Sequence, residues 1–376
     1  MRIGVYNQFW STLGGGEQYA GSIAEALAHR YDVSLLTPSS GGLDADLLFD
    51  RLSVDLRGLP IRELTPEAFP VSAASLDYDV FINVSFQSGA FNLAPTGVYV
   101  AHFPSEGFTL RQRAGAVARA LRLGAADPSL RSLGGLKRAK GRRRGWVVEG
   151  QALLQVTSAR PTELGIALDA GTSASTRLRI VAGRTIVDER LIDGDATVDV
   201  TLPAAVALSV FLIADTQGEG QGLHVPLLIE RIALDGQPID PLKATLRQRL
   251  APLPPRAFLD SYDQIVANSG FTREWIGRRW GRDASVLHPP VRMRAGGDKE
   301  QLIVSVGRFF AEHAGHSKKQ LEMVRAFRHL VERGLSGWRL VLIGGCSAEH
   351  RDYAMAVKRE AIGLPVEVRL NAPGEV

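Results

Sequence analysis

The feature that most constrains this chain is a hydrophobic period that changes twice. From Trp146 to about Asp240, apolar residues recur at every second position, as in Thr162 to Asp169 (TELGIALD) and Ala196 to Leu202 (ATVDVTL). On both sides the chain alternates short apolar, β-branched runs with amphipathic stretches of helical spacing. Period two belongs to half-buried strands and period 3.6 to surface helices. A chain with both in separate blocks needs an all-β block set into an α/β frame.

The middle block reads as seven strands: Trp146 to Ser158, Thr162 to Asp169, Arg177 to Val181, Arg184 to Leu191, Ala196 to Leu202, Ala207 to Ala214 and Leu227 to Leu234. The turn pairs Asp193-Gly194 and Asp235-Gly236 separate several of them. A sandwich or jelly roll is expected. The strands carry few aromatic residues, which argues against a stacking platform for sugars and for a role in protein interaction or acceptor gating.

The first flank opens on the strand Arg2 to Tyr6, the turn Leu13-Gly14-Gly15-Gly16-Glu17 and a helix through Ser22 to Arg30. Glycine lets a ligand approach the main chain, and a helix N-terminus offers free amides and a positive dipole end, so Gly14, Gly15 and Gly16 form a candidate phosphate or acceptor site. Further strands are expected at Tyr31 to Thr37, Leu52 to Leu56, Tyr78 to Val84 and Gly97 to Ala101, with a short helix at Asp44 to Arg51. Ligands of parallel sheets bind beyond the carboxyl ends of the strands. His102 lies at such an end.

From Leu110 to Gly145 the chain is rich in Arg, Ala, Gly and Leu, with Arg111, Arg119 and Arg122 on a possible helix and a dense cluster at Lys137 to Arg144 (KRAKGRRR). Such a cluster suits anionic lipid or a solvated loop. It has no aromatic residues to stack bases, so no nucleic-acid partner is expected. After Pro252-Leu253-Pro254-Pro255 the α/β pattern resumes. Strands are expected at Gln264 to Ala267, Ser285 to Leu287, Leu302 to Val306, Trp338 to Ile343 and Val366 to Arg369, and helices at Thr272 to Trp280, Lys319 to Arg333 and Glu349 to Ile362.

Composition narrows the class. The 376 residues are 45% hydrophobic and 22% charged, with a net charge of +4, which fits a soluble globular protein of two or three domains. One cysteine, Cys346, leaves no internal disulfide framework or metal cluster. No apolar run is long enough to span a bilayer, and the N-terminus does not read as a signal peptide. Asp44-Ala45-Asp46 follows a turn instead of ending a strand, and reads as surface. Thr37-Pro38 ends the second strand where a dinucleotide enzyme needs an acidic residue, so no NAD is expected.

Several stretches together resemble the retaining glycosyltransferases of the GT-B architecture, family four, a group that includes glycogen synthases and mannosyltransferases. They are Arg2 to Leu27, Ala101-His102-Phe103-Pro104, Asp260-Ser261-Tyr262-Asp263 through Ala267-Asn268-Ser269, and His288-Pro289-Pro290-Val291. Ser305 to Phe310, His316-Ser317-Lys318-Lys319-Gln320 and Val341-Leu342-Ile343-Gly344-Gly345 complete the set. The resemblance implies an α/β fold with two Rossmann-like lobes facing across a cleft and an all-β sandwich or jelly-roll insertion. The acceptor lobe would be residues 1–110 plus 246–290, a basic linker 111–145, the insertion 146–245, and an incomplete nucleotide-sugar lobe 291–376.

It further implies a hexosyltransferase of cell-surface polysaccharide synthesis, which moves a sugar from a nucleotide sugar to a glycan or lipid-linked acceptor with retention. Arg308, Lys318, Gly344 and Gly345 would bind the donor, with Arg308 and Lys318 at its diphosphate. Lys319 competes with Lys318 for its place. His102 would orient the donor sugar at the catalytic centre, with Glu106 a possible acceptor-side base. No metal or other cofactor is implied. The location would be cytoplasmic, with a peripheral contact to the anionic inner face of the plasma membrane through Arg111 to Arg144. The family's later glutamate pair has no counterpart before Val376, so a weak donor site is expected. The alternative is a non-catalytic adaptor or sugar-binding scaffold that uses the β-domain.

Overall fold

The computed structural model describes residues 1–38, 44–64, 70–104, 129–139, 145–169, 176–216, 227–243, 257–291, 298–310 and 317–371. The chain divides into two units, Met1–Pro290 and Val291–Val376. The helix expected at Leu110 to Leu123, residues Glu106, Arg111, Arg119, Arg122 and His316, most of the basic cluster and the Pro252–Pro255 run lie outside the described residues.

The first unit contains a parallel sheet built from β1 (Arg2–Tyr6), β2 (Asp32–Pro38), β3 (Ile61–Leu64), β4 (Val80–Asn83), β5 (Thr96–Ala101), β15 (Gln264–Ala267) and β16 (Ser285–Val286), in the order β16-β15-β5-β4-β1-β2-β3. Helices α1 (Gly15–Ala28), α2 (Ala45–Leu52), α3 (Pro70–Ala74) and α4 (Gly270–Trp280) accompany it. Strand order reverses between β1 and β4, the kind of switch point beyond which open α/β sheets bind ligands. Ile3, Val5, Leu35 and Ile82 pack with Tyr19, Ala20 and Ala24 of α1 in one core, and Phe81, Tyr99, Tyr262 and Ile276 form another.

The expected strand at Leu52 to Leu56 is absent. Leu52 ends α2, Ser53 caps it in the left-handed region (φ 53°) and accordingly turns the chain. Val54 and Leu56 are buried against Gly21 of α1 by their side chains, outside any ladder. Their apolar alternation mimics a strand. Asp44 caps α2 by accepting from the amides of Asp46 and Leu47, which gives the Asp44-Ala45-Asp46 run a structural role.

Between β5 and β15 lie β6 (Ser129–Arg138), β7 (Trp146–Ser158), β8 (Thr162–Asp169), β9 (Thr176–Ala182), β10 (Thr185–Ile192), β11 (Ala196–Leu202), β12 (Ala205–Thr216), β13 (Leu227–Leu234) and the short β14 (Gln237–Pro238). All pair antiparallel. The β6–β7 ribbon joins two halves of one nine-stranded sheet, which pack on each other as the two sheets of a sandwich. Residues 151–158 of β7 pair with β12, which continues to β9 and β10, whereas Trp146–Val148 pair with β13, which continues to β8 and β11. Gly150 (φ 78°) lies at this fork, and Gly135 of β6 (φ 75°) lies in the same stretch, where the β6–β7 register shifts between Gly134 and Leu136. Left-handed glycines let one ribbon change sheets. Leu154, Leu164, Ile166, Ile180, Val198, Val210, Leu212 and Ile232 fill the space between the two sheets.

Strand β6 lies within residues 111–145, which the sequence reading treats as a linker. Its Arg- and Gly-rich composition hides it, because only Leu130 and Leu136 are fully buried. The expected fold class is corrected as well. Among the described residues, strands make up 42% and helices 26%, and the largest sheet is antiparallel, so the protein is mostly β instead of a two-lobed α/β protein of GT-B type. The α/β signal is confined to the parallel sheets.

The outer face of β7, β9 and β12 is covered. Leu153, Val181, Phe211 and Ile213 pack on Phe91 and Leu93, which follow β4, with Phe91 and Phe211 edge to face at 5.4 Å. Arg184, after β9, donates to Asp263 Oδ1 at 2.7 Å and to the carbonyls of Ala94 and Pro95. β-Domain and parallel sheet therefore form one body.

The second unit holds a parallel sheet of β17 (Leu302–Val306), β18 (Arg339–Gly344) and β19 (Val366–Leu370), with helices α5 (Gln320–Glu332) and α6 (Arg351–Glu360). Val324, Phe327, Leu340, Leu342, Ala354 and Val357 form its core.

Candidate functional sites

At the start of α1 the glycine turn already holds a carboxylate. The Glu17 carboxylate accepts from the Gly14 amide at 2.7 Å, from the Thr12 hydroxyl at 2.7 Å and from Asn7 Nδ2 at 3.3 Å. It is buried and sits at the N-terminus of α1, where the dipole favours it. This places a fixed negative charge where the sequence reading puts a phosphate on Gly14, Gly15 and Gly16. The Glu17 side chain reaching back to the Gly14 amide is one half of a capping box and explains the same residues.

The structure brings Gly16 and His102 together. A Cβ on Gly16 would stand 3.4 Å from His102 Cε1. His102 Nε2 is 2.7 Å from the Val84 carbonyl, which makes this nitrogen the donor. Its ring lies edge-on to Tyr19 and Phe86, and its own carbonyl accepts from Asn268 Nδ2 at 2.9 Å. His102 thus ties the ends of β4, β5 and β15 to one another.

In the second unit, Arg308, Lys318, Gly344 and Gly345 also converge, at the carboxyl ends of β17 and β18. The Lys318 stem lies over Gly307, and Arg308 Cγ is 3.7 Å from the Cβ position of Gly345. A Cβ on Gly344 would fall 2.0 Å from the Gly307 carbonyl, so this close approach requires glycine. Gln320 Nε2 donates to the carbonyls of Gly307 and Arg308, both at 3.1 Å. The Arg308 guanidinium rests over the Phe310 ring. Lys319 caps α5 in the left-handed region (φ 58°). Arg308, Lys318 and Lys319 are all exposed.

The third cluster escaped the sequence reading. On the outer face of β8, β11 and β13 a groove of about 290 Å³ is lined by Glu163, Gly165, Ala167, Thr197, Asp199, Arg231, Ala233 and Gly236. The register explains its shape. Thr197, Ala167 and Arg231 share one rung across the three strands, and Asp199, Gly165 and Ala233 share another. The middle strand presents only small residues there, so longer side chains on its neighbours rise as walls. A β-bulge between Ile229 and Arg231 aims Arg231 outward. Asp235 fixes the end of the groove. It accepts from the Glu163 amide, the Thr162 hydroxyl and the Arg160 guanidinium, each at 2.8 Å. The Glu163 amide first, and then Thr162 and Arg160, hold its carboxyl below the usual range.

The signals for this groove were present in the text. One is the pair Gly165 and Ala167 at the outward positions of an otherwise regular strand. The other is Glu230-Arg231, two consecutive charges that break the alternation of LLIERIAL. Among the described residues, no group of three or more His, Cys, Asp or Glu side chains is placed to hold a metal ion. No described helix is long and apolar enough to cross a membrane.

No family model matches the chain, and no curated protein matches it. Among solved structures it is similar to a family 35 carbohydrate binding module from an environmental isolate, at 18% identity and a TM-score of 0.22, over 31% of this chain and 99% of that one. It is similar to the CBM36-1 domain of a multidomain xylanase from the hindgut metagenome of Trinervitermes trinervoides, at 9% identity and a TM-score of 0.21, over 29% of this chain and 96% of that one. A family two carbohydrate esterase from Clostridium thermocellum, in complex with cellohexaose, matches at 9% identity and a TM-score of 0.21, over 64% of this chain and 88% of that one. The comparisons return no glycosyltransferase of GT-B type. On that finding the resemblance to family four, the hexosyltransferase activity and the assignment to polysaccharide synthesis are corrected.

Proposed function

We propose that this chain is a non-catalytic scaffold whose β-domain binds a glycan in the groove on β8, β11 and β13. One observation carries the reading: Thr197 and Asp199 of β11 face β13, with its Arg231, across a floor of Gly165 and Ala167 on β8, and Glu163 of β8 lines the groove further along the same strand. A sugar hydroxyl both donates and accepts. Carboxylates accept hydrogen bonds from its O–H and a guanidinium donates to its oxygen, so this set matches a row of hydroxyls without an aromatic platform. The outer face of the other sheet is packed against the first parallel sheet, which leaves the groove side as the ligand-binding face of the domain.

The test is titration of the full chain with cellohexaose, xylohexaose and mannohexaose, followed by calorimetry. Binding of at least one, lost in Asp199→Ala and in Arg231→Ala with unchanged melting temperature, is the expected result. Absence of binding to all three, or binding that survives both substitutions, overturns the reading.

A further inference from the structure

A second surface of the first unit has a different chemistry. Phe103, just beyond β5, stacks against Phe271 of α4 with ring centroids 6.1 Å apart, and Trp275 lies 6.2 Å from each. Phe271 is 63% exposed, far above the rest of the aromatic core, and Phe103 is 37% exposed. Arg279 lies over both the Phe103 and Trp275 rings and donates to the Pro104 carbonyl at 2.8 Å. Arg278 also lies over Trp275 and pairs with Glu274. Exposed Arg273 adds a further positive charge on the same helix. Nothing in the glycan groove involves these residues.

We propose that this patch docks the protein on a bilayer with anionic headgroups. Two observations select that occupant. α4 carries Arg273, Arg278 and Arg279 against the single carboxylate of Glu274, so the helix is positively charged and complements an anionic surface. The rings are also largely occupied. Phe103 has Phe271 stacked on it and Arg279 over it, and Trp275 has two guanidinium groups over it. A pyranose needs an open ring face. Ring edges beside guanidinium N–H groups suit the headgroup region, where aromatic side chains insert and arginine meets phosphate.

The experiment is flotation of the full chain with vesicles of phosphatidylcholine alone and of phosphatidylcholine containing a quarter phosphatidylglycerol. Flotation only with the anionic vesicles is expected, weakening as salt screens the charges. Because its ring is mostly in solvent, Phe271→Ser leaves the melting temperature unchanged and lowers the partition coefficient by about tenfold, the loss of one inserted aromatic side chain. Arg273→Glu lowers it as well. A chain that does not float with anionic vesicles, or a Phe271→Ser, Arg273→Glu double variant that floats as well as the parent, overturns the proposal. So does a cellohexaose-dependent change in tryptophan emission that Phe271→Ser removes without any flotation, since the patch is then a sugar surface.

Discussion

The Asp199 carboxylate lies over the backbone of Gly165: a Cβ at position 165 would meet Asp199 Oδ1 at 2.8 Å. Neither residue is part of a core. Gly165 has an ordinary extended φ, and glycine in a strand interior weakens the strand. A position that gives up stability for open space is consistent with a ligand site. Gly165→Ala is accordingly expected to raise stability slightly, by about 0.5 kcal/mol, while it pushes Asp199 aside and lowers glycan affinity. Urea unfolding and oligosaccharide calorimetry on the same variant read the two effects separately, and a joint loss of stability and binding contradicts this account.

The join between β-domain and parallel sheet depends on Arg184 and Asp263. The Arg184 guanidinium first, and then the Gly97 amide, hold the Asp263 carboxyl below the usual carboxylate range. A depressed folded-state pKa contributes stability at pH above the unfolded value, near 3.9, and the contribution disappears as pH falls through the folded value. Both side chains are partly exposed, so the pair contributes at most about 1 kcal/mol. Asp263→Asn should therefore melt below the parent at pH 7, and the two melting curves should converge as pH falls below the carboxylate range. A constant gap across that pH range would show that the ion pair is not the source.

The strands of the β-domain from Trp146 onward were legible because they alternate, whereas β6 (Ser129–Arg138) was not. The domain's mode of attachment was less visible. Val210, Phe211, Leu212 and Ile213 are all buried, so β12 is covered on both faces, as its unbroken apolar run indicates. Reading the run as one more sandwich strand missed the second interface. The flanking βα pattern was also real, yet it invited a family resemblance that the comparisons do not uphold. A glycine turn, a strand-end histidine and a Gly-Gly pair arise wherever a parallel sheet meets helix termini. Here the Glu17 cap satisfies the first and the Val84 carbonyl holds the second. The groove was missed because its defining property is register, which sets Gly165 between Asp199 and Ala233, and register is not written in any one strand.

Gly135 tests the forked ribbon. Its φ of 75° is one that other residues adopt only at a cost, and a Cβ there would fall 2.1 Å from the Gln151 carbonyl across the ladder. Backbone cannot yield as a flexible side chain can. Gly135→Ala is expected to destabilise the first unit by about 2–4 kcal/mol, through strain and a disrupted β6–β7 pairing. The midpoint of urea unfolding, followed by circular dichroism, checks it. Gly194→Ala is the control, since Gly194 also has positive φ (121°) but nothing within 4 Å of its Cβ position. It should lose only the conformational part.

In the second unit, Arg308 and Lys318 stand exposed beside the Gly344-Gly345 turn, and neither makes an ion pair among the described residues. Two cations without an ion pair, one just after β17 and one just before the N-cap of α5, attract a small multivalent anion without any implication of chemistry. Inorganic pyrophosphate is expected to bind weakly here and to raise the melting temperature of the chain as its concentration rises. Arg308→Ala and Lys318→Ala should each reduce that rise, and the double variant should abolish it. Lys319→Ala serves as the discriminating control. Lys319 caps α5 through its left-handed backbone, without a side-chain cap hydrogen bond, so its truncation should leave both the unliganded melting temperature and the pyrophosphate-dependent increment unchanged. An increment that follows Lys319 instead of Lys318 would move the anion to the other side of the α5 N-terminus.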